Sequence, residues 1–295
     1  MAASRTAQYV ALYRALEDSE TRRPPLFRDP FAAGFLSPGL SLALRVARIP
    51  LCRGPLERYA DWRAPGARSS AIGRTRFIDD VVRREVGRGA RQLVLLGAGY
   101  DCRAHRMAEL EGARVFEVDR PDTQSAKRAR IAAAAQPGVR GDVRYVAVDF
   151  ATDDLSARLL EAGWRADDPS VFVWEGVTNY LEADAVAGVL AMVGRAAPGS
   201  ALVFTFIHRG VIDGTVEFDG AAKLVWNTRR LGEPWRFGLD PAELADYLAR
   251  FGLGLEQDLG ADEYRRLYLA AGARDLRGYA FYRVAVARVG GVESH

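Results

Sequence analysis

The chain has 295 residues, 49% of them hydrophobic, with 41 basic and 38 acidic side chains and a formal charge of +3; that is ample for a sizeable core in one domain, or in one domain with a helical addition. Lys127 and Lys223 are its only lysines, and the arginines alternate with Asp and Glu instead of forming the blocks that grip nucleic acid, so no nucleic-acid partner is expected. Met1 to Arg14 carries no apolar leader core and no 18-residue apolar run occurs, so the expectation is a cytoplasmic protein with no membrane partner.

From Ser4 to about Ala90 the pattern is helical. Ala7, Val10, Leu12 and Leu16 recur at helix-like spacing, Pro24-Pro25 breaks the pattern, and Ser41–Arg48 and Ile72–Glu85 resume it. Residues 1–90 are therefore expected to form an N-terminal helical cap. From Arg91 the period changes. Apolar runs at Gln92–Leu96, Arg114–Val118, Val143–Val148, Ser170–Trp174 and Ala201–Ile207 are separated by amphipathic stretches at Asp101–Leu110, Pro121–Ala135, Asp153–Ala162 and Glu182–Ala196. Strands apolar on both faces and joined by helices predict a doubly wound, mostly parallel α/β sheet over residues 91–295. Residues 211–238 are irregular and aromatic, with Phe218, Trp226, Trp235 and Phe237, and read as a lid insertion, the plain alternative being that these aromatics fill ordinary core. A helix at Pro241–Phe251 and strands near Leu253–Asp258 and Tyr279–Ala287 complete seven strands. Cys52 and Cys102 lack the paired spacing of a zinc or redox motif, so no metal site is expected.

The chemistry-bearing stretch is Leu93-Val94-Leu95-Leu96-Gly97-Ala98-Gly99-Tyr100-Asp101, a buried strand running into a glycine turn. In open α/β sheets ligands bind beyond the carboxyl ends of the strands, and glycine lets the backbone approach them. Asp119, 20 residues after Gly99 at the end of the second strand, can accept from a ribose diol. The plain alternative is a tight turn with a capping Asp. A dinucleotide fingerprint would need a third glycine where Cys102 stands, and Asp101 would place a carboxylate against a pyrophosphate. S-adenosylmethionine has no phosphate and meets neither objection.

These residues, with Cys102-Arg103, Glu117-Val118-Asp119-Arg120-Pro121, Lys127, Asp149-Phe150 and Glu175-Gly176-Val177-Thr178-Asn179-Tyr180-Leu181, resemble the leucine carboxyl methyltransferase family. The likeness is strongest to its bacterial branch of S-adenosylmethionine-dependent O-methyltransferases, and Ser4-Arg5-Thr6-Ala7, Pro25-Leu26-Phe27-Arg28-Asp29-Pro30 and Arg74-Thr75-Arg76-Phe77-Ile78-Asp79 extend it over Ser4 to Phe206. It implies the Rossmann-like fold of class I methyltransferases and S-adenosylmethionine as cofactor. Arg74 would pair with the cofactor's carboxylate, with Arg76 as its rival, because a guanidinium fork meets a carboxylate in two parallel hydrogen bonds. Gly97 and Gly99 would line the methionine part, Asp119 the ribose, Asp149 and Phe150 the adenine, and Glu175 the ammonium group. Tyr180 would stand near the transferred methyl. Gly176-Val177-Thr178-Asn179 departs from the eukaryotic motif, which argues against a phosphatase C-terminus as substrate.

Each position also has a bland reading: Asp149 as a loop cap, Glu175 as half of a structural salt bridge, and Arg74 and Arg76 as solvated helix arginines. His208, after the fifth strand, is the candidate base, while His105 and His295 are less well placed. A carboxylate acceptor would need no base, and a hydroxyl would benefit from one. The implied activity is O-methylation of a carboxylate or hydroxyl on a small or secondary metabolite, the alternative being a non-catalytic S-adenosylmethionine-binding regulator on the same fold. Oligomeric state is left open.

Overall fold

The computed structural model describes residues 5–134, 141–269 and 278–290. Four helices come first: α1 (Arg5–Asp18), α2 (Pro38–Ala47), α3 (Pro50–Arg63) and α4 (Ala67–Gly87). Proline opens α2 and α3, where its missing N–H leaves nothing unsatisfied. The sequence pattern does not announce α3, because Gly54 and Pro55 interrupt it. Buried Arg53 holds it in place, pairing with Glu57 at 2.9 Å and donating to the carbonyls of Leu16 at 2.6 Å and Ser19 at 3.0 Å.

The rest of the chain alternates strands and helices. In order these are β1 (Gln92–Leu96), α5 (Arg103–Arg106), β2 (Arg114–Asp119), α6 (Pro121–Ala133), β3 (Asp142–Ala147), α7 (Leu155–Glu161), β4 (Ser170–Trp174), α8 (Ala183–Val193), β5 (Ala201–Ile207), α9 (Arg209–Asp213), α10 (Ala221–Arg230), α11 (Leu244–Ala249), β6 (Leu253–Leu259), α12 (Ala261–Tyr264) and β7 (Tyr282–Val289). The sheet order is β3-β2-β1-β4-β5-β7-β6. All pairs are parallel except β7, which runs antiparallel to β5 and β6. β1 is flanked by β2 and β4, so the strand order reverses there and a crevice opens at the carboxyl ends.

Alternate residues of each central strand serve opposite layers. Leu93, Leu95, Val171 and Val203 pack under Phe77, Ile78, Val81 and Val82 of α4. Val94, Leu96, Phe172 and Phe204 pack under α7, α8 and α11 through Leu159, Val189, Leu190 and Leu244. The last turns of α4 thus cover the sheet itself.

Expected elements differ at their ends, as where α2 and α4 begin at Pro38 and Ala67 and not at Ser41 and Ile72, and some differ in kind. The Asp101–Leu110 stretch is not one helix but the single turn α5 followed by a 3₁₀ turn at Ala108–Leu110, with extended Met107 between them. The aromatic segment 211–238 is not irregular throughout, since α10 lies inside it. Its Phe218, Leu224, Val225 and Trp235 pack on Ile207, Ala221, Tyr279 and Phe281, which is core-like burial. The last strand starts at Tyr282, not Tyr279.

Candidate active site

β1 leads into Gly97 with φ +68° and Gly99 with φ +41°, a left-handed turn that side chains with a Cβ adopt only at a cost. A Cβ on Gly97 would come within 2.4 Å of Val177 Cγ2, whereas one on Gly99 would meet nothing closer than the Gly97 carbonyl at 3.8 Å. Gly97 is thus required by packing, and Gly99 keeps an open space above the strand ends. Across the turn, Ala98 N–H donates to the Val118 carbonyl at 2.8 Å and Gly99 N–H to Asp119 Oδ2 at 2.6 Å. Arg120 N–H donates to Asp119 Oδ1 at 2.7 Å. Burial raises the Asp119 pKa against these two N–H donors, and the carboxylate has lone pairs left for further donors.

Beside the turn lies a buried network of charges. Glu175, one residue past β4, takes Arg74 Nε on Oε1 at 2.8 Å and Arg103 Nη1 on Oε2 at 2.9 Å. Arg103 also bonds Asp79 at 2.8 Å and Asp101, and Asp79 takes Arg106 at 2.7 Å. Lys127, behind the loop, pairs with Glu117 at 2.7 Å and donates to the Asp101 carbonyl. Burial opposes ionisation of Glu175, but Arg103 and Arg74 hold its pKa below the usual value. Asp101 is likewise held down to about 2, where burial is outweighed by Arg103, Lys127 and Arg14. A fixed carboxylate at the head of a one-turn helix is a poor seat for a pyrophosphate. Arg74 stands over the Tyr282 ring at 4.6 Å. Its two Nη nitrogens make no hydrogen bond to the described residues.

The remaining candidates are placed as follows. Arg76 is turned aside, with Nε on Asp80 at 3.0 Å and Nη1 on the Leu26 carbonyl. Asp149 closes the turn after β3, its Oδ1 accepting from Ala151 N–H at 3.0 Å, as in the loop-cap reading. The half-buried Phe150 ring lies 6.4 Å from that of Trp174. Tyr180 ends a 3₁₀ turn at Thr178–Tyr180, and burial, then Tyr282 and Glu233, push its pKa up to about 12, so the phenol is neutral at physiological pH. His208 caps α9, its Nδ1 accepting from Gly210 N–H at 3.0 Å, and its ring lies 5.0 Å from Phe218. His105 is buried on α5 with Nε2 3.4 Å from Glu117, and His295 lies outside the described residues.

The structure therefore gathers Arg74, Glu175, Gly97, Gly99 and Asp119 at the switch point. Tyr180 and His208 border the neighbouring aromatic cluster, where Phe281 touches Phe218 at 5.9 Å and Trp235 at 6.2 Å. Four participants have no role assigned from the sequence. Arg103 closes the family-like stretch after the glycine turn without a role of its own, and Tyr282 carried no signal. Asn179, in the Glu175–Leu181 stretch, and Trp235, among the lid aromatics, are brought together only in three dimensions, where Arg236 N–H bonds the Asn179 carbonyl at 2.8 Å. Asn179 is 1% exposed. Its amide and the Trp235 indole N–H face the Tyr180 hydroxyl as loose hydrogen-bonding neighbours, and neither completes a well-formed hydrogen bond among the described residues. A cleft of about 380 Å³ lies elsewhere, lined by Glu20, Arg22, Glu57, Asp61 and Arg68; those charges are paired among themselves, and no residue of the switch point lines it.

The sequence profile described as leucine carboxyl methyltransferase matches residues 7–194. A Streptomyces coelicolor protein, provisionally named an S-adenosyl-L-methionine-dependent methyltransferase, is 38% identical over 234 residues, covering 78% of each chain. A Frankia alni protein with the same provisional name is 35% identical over 270 residues, 88% of this chain and 90% of its own. Among solved structures, a provisionally assigned methyltransferase from Thermobifida fusca aligns over 95% of this chain and 94% of its own with a TM-score of 0.58 at 19% identity. A Streptomyces avermitilis protein does so over 86% and 92% with a TM-score of 0.55 at 18% identity. These two share the fold.

Proposed function

From the premise that the chain belongs to the leucine carboxyl methyltransferase family of S-adenosylmethionine-dependent methyltransferases, we propose that it methylates an oxygen, a carboxylate or hydroxyl, of a small or secondary metabolite. When bound, S-adenosylmethionine supplies an electrophilic methyl group on a positively charged sulfur. The residues at the switch point suit it. The Nη nitrogens of Arg74, uncommitted among the described residues, match a carboxylate, the ionised Glu175 matches an ammonium group, and the Asp119 carboxylate at the end of β2 matches a ribose diol. Phe150, beyond β3, offers a ring face to adenine. The observation that carries this reading is the Arg74–Glu175 pair at 2.8 Å beside the Gly97–Gly99 turn, a zwitterion-matching pair at the crevice of the sheet.

On the acceptor side the chain's task is to hold and align an oxygen and to exclude water. Buried donors without acceptors are costly unless a ligand completes them. The Asn179 amide and Trp235 N–H, which face the neutral Tyr180 hydroxyl without completing a well-formed hydrogen bond among the described residues, fit an acceptor oxygen. His208 has already committed Nδ1 to capping α9, which supports an acceptor that arrives ionised, such as a carboxylate, over one that must be deprotonated.

The test is transfer of a labelled methyl group from S-adenosylmethionine to a panel of aromatic and aliphatic carboxylic acids and phenols. Label released as methanol by alkali marks a methyl ester, and alkali-stable O-linked label marks an ether. Label on nitrogen, carbon or sulfur would contradict oxygen as the acceptor atom. Tight cofactor binding with no transfer to any acceptor would favour the regulatory reading.

A further inference from the structure

α2 is apolar on two opposite faces. Leu44 and Ala47 point inward and are buried, while Leu42, Val46 and Ile49, at helical spacing, point outward. Leu42 is 61% exposed. The chain then turns at Pro50, and α3 continues with a second outward series, Leu51, Pro55, Tyr59 and Trp62, again spaced by three or four residues. Leu51 is 89% exposed and Trp62 71%. The Tyr59 and Trp62 rings lie 6.0 Å apart, and Lys223 of α10 sits over Trp62 at 6.0 Å. A soluble surface scatters such side chains singly, so two adjoining stripes that meet at the Ile49–Leu51 corner mark a contact face.

Charge selects the partner. Arg45, Arg48, Arg58 and Arg63 are exposed and make no ion pair among the described residues. No Asp or Glu occurs from Pro30 to Leu56. The acids of α3 are already committed, Glu57 to Arg53 at 2.9 Å and Asp61 to Arg68 at 2.6 Å. A second copy meeting this face across a two-fold axis would set arginines against arginines. An anionic bilayer surface supplies the opposite charge together with an apolar layer for Leu42, Ile49 and Leu51, and its headgroup zone is where Tyr and Trp settle. No described helix is long and apolar enough to cross a membrane, so the contact is peripheral.

We propose that the α2–α3 hairpin docks this protein on an anionic lipid surface, with Leu42, Val46, Ile49 and Leu51 entering the interface and Arg45, Arg48, Arg58 and Arg63 pairing with acidic headgroups. This departs from the expectation of no membrane partner and is independent of which acceptor is methylated.

The experiment is co-sedimentation of the full chain with phosphatidylcholine vesicles, with and without phosphatidylglycerol, at low and high salt. Binding is expected only with phosphatidylglycerol and should weaken with salt. The double variant Ile49→Ser, Leu51→Ser should lose at least ~tenfold in vesicle affinity. The double variant Arg45→Gln, Arg48→Gln should lose about fivefold per arginine removed. Unchanged thermal midpoints would confirm that both variants fold, since these side chains support no core contact. Failure to sediment with anionic vesicles at low salt would overturn the proposal. So would vesicle binding that is insensitive to the serine pair, or equally tight binding to polyglutamate, which would assign the face to an acidic protein. A wild-type dimer that the serine pair dissociates would assign it to a second copy.

Discussion

Replacing Arg103 by Met probes the charge network that positions Glu175. Arg103 is fully buried and serves three carboxylates at once, Asp79, Asp101 and Glu175. Without it, Asp79 keeps Arg106 and Glu175 keeps Arg74, but the cluster holds one uncompensated negative charge. Breaking a buried pair in this way costs about 3–5 kcal/mol, a large part of the ~5–15 kcal/mol that folded proteins have. In the wild type all three carboxyls are held below their ordinary pKa, Asp101 at about 2 against 3.8. Groups with depressed pKa stabilise the fold above the unfolded value, and that contribution is lost as pH falls through the folded one. The difference between wild type and variant should therefore be full at pH 7 and shrink below about pH 4. Urea denaturation at both pH values measures it, with Arg103→Lys recovering part of the loss. A deficit under ~1 kcal/mol at pH 7, or one unchanged in acid, would refute the reasoning.

Arg74→Gln should weaken S-adenosylmethionine and S-adenosylhomocysteine binding ~10- to 150-fold by calorimetry, the worth of a charge-assisted hydrogen bond. Arg76→Gln should be nearly silent, because that side chain is spent on Asp80 and the Leu26 carbonyl. Gly97→Ala should cost about 2–5 kcal/mol in denaturant, combining left-handed strain with the 2.4 Å approach to Val177. Adding Val177→Ala should relieve only the packing part. His208→Ala should lower kcat less than ~tenfold and leave the pH–rate profile unchanged; loss of an acidic limb near pH 6–7 would make His208 the base.

The central strands were legible because both their faces are apolar, as burial under helices on each side demands. Gln92–Leu96, Ser170–Trp174 and Ala201–Ile207 match residue for residue. Helices held by tertiary contacts were harder to read. Arg53 sustains α3 across Gly54 and Pro55, and buried Cys102 and Ala104 sit where extended Met107 cuts the first crossover to a single turn. In the site, the glycine turn and Asp119 stood out by spacing, because backbone geometry constrains where a glycine or acid can serve. Arg103, Tyr282, Asn179 and Trp235 enter from separate elements, and nothing local in the sequence distinguishes a buried arginine at the hub of three carboxylates from a solvated one.

The central claim is that the switch-point crevice binds S-adenosylmethionine through Asp119, Arg74 and Glu175. Calorimetric titration of the wild type and Asp119→Ala with S-adenosylmethionine, S-adenosylhomocysteine and NAD tests it directly. The account predicts micromolar binding of the first two to the wild type, none of NAD, and severe weakening in a variant that still unfolds cooperatively. Binding of NAD alone, or unchanged S-adenosylmethionine affinity in Asp119→Ala, would contradict it.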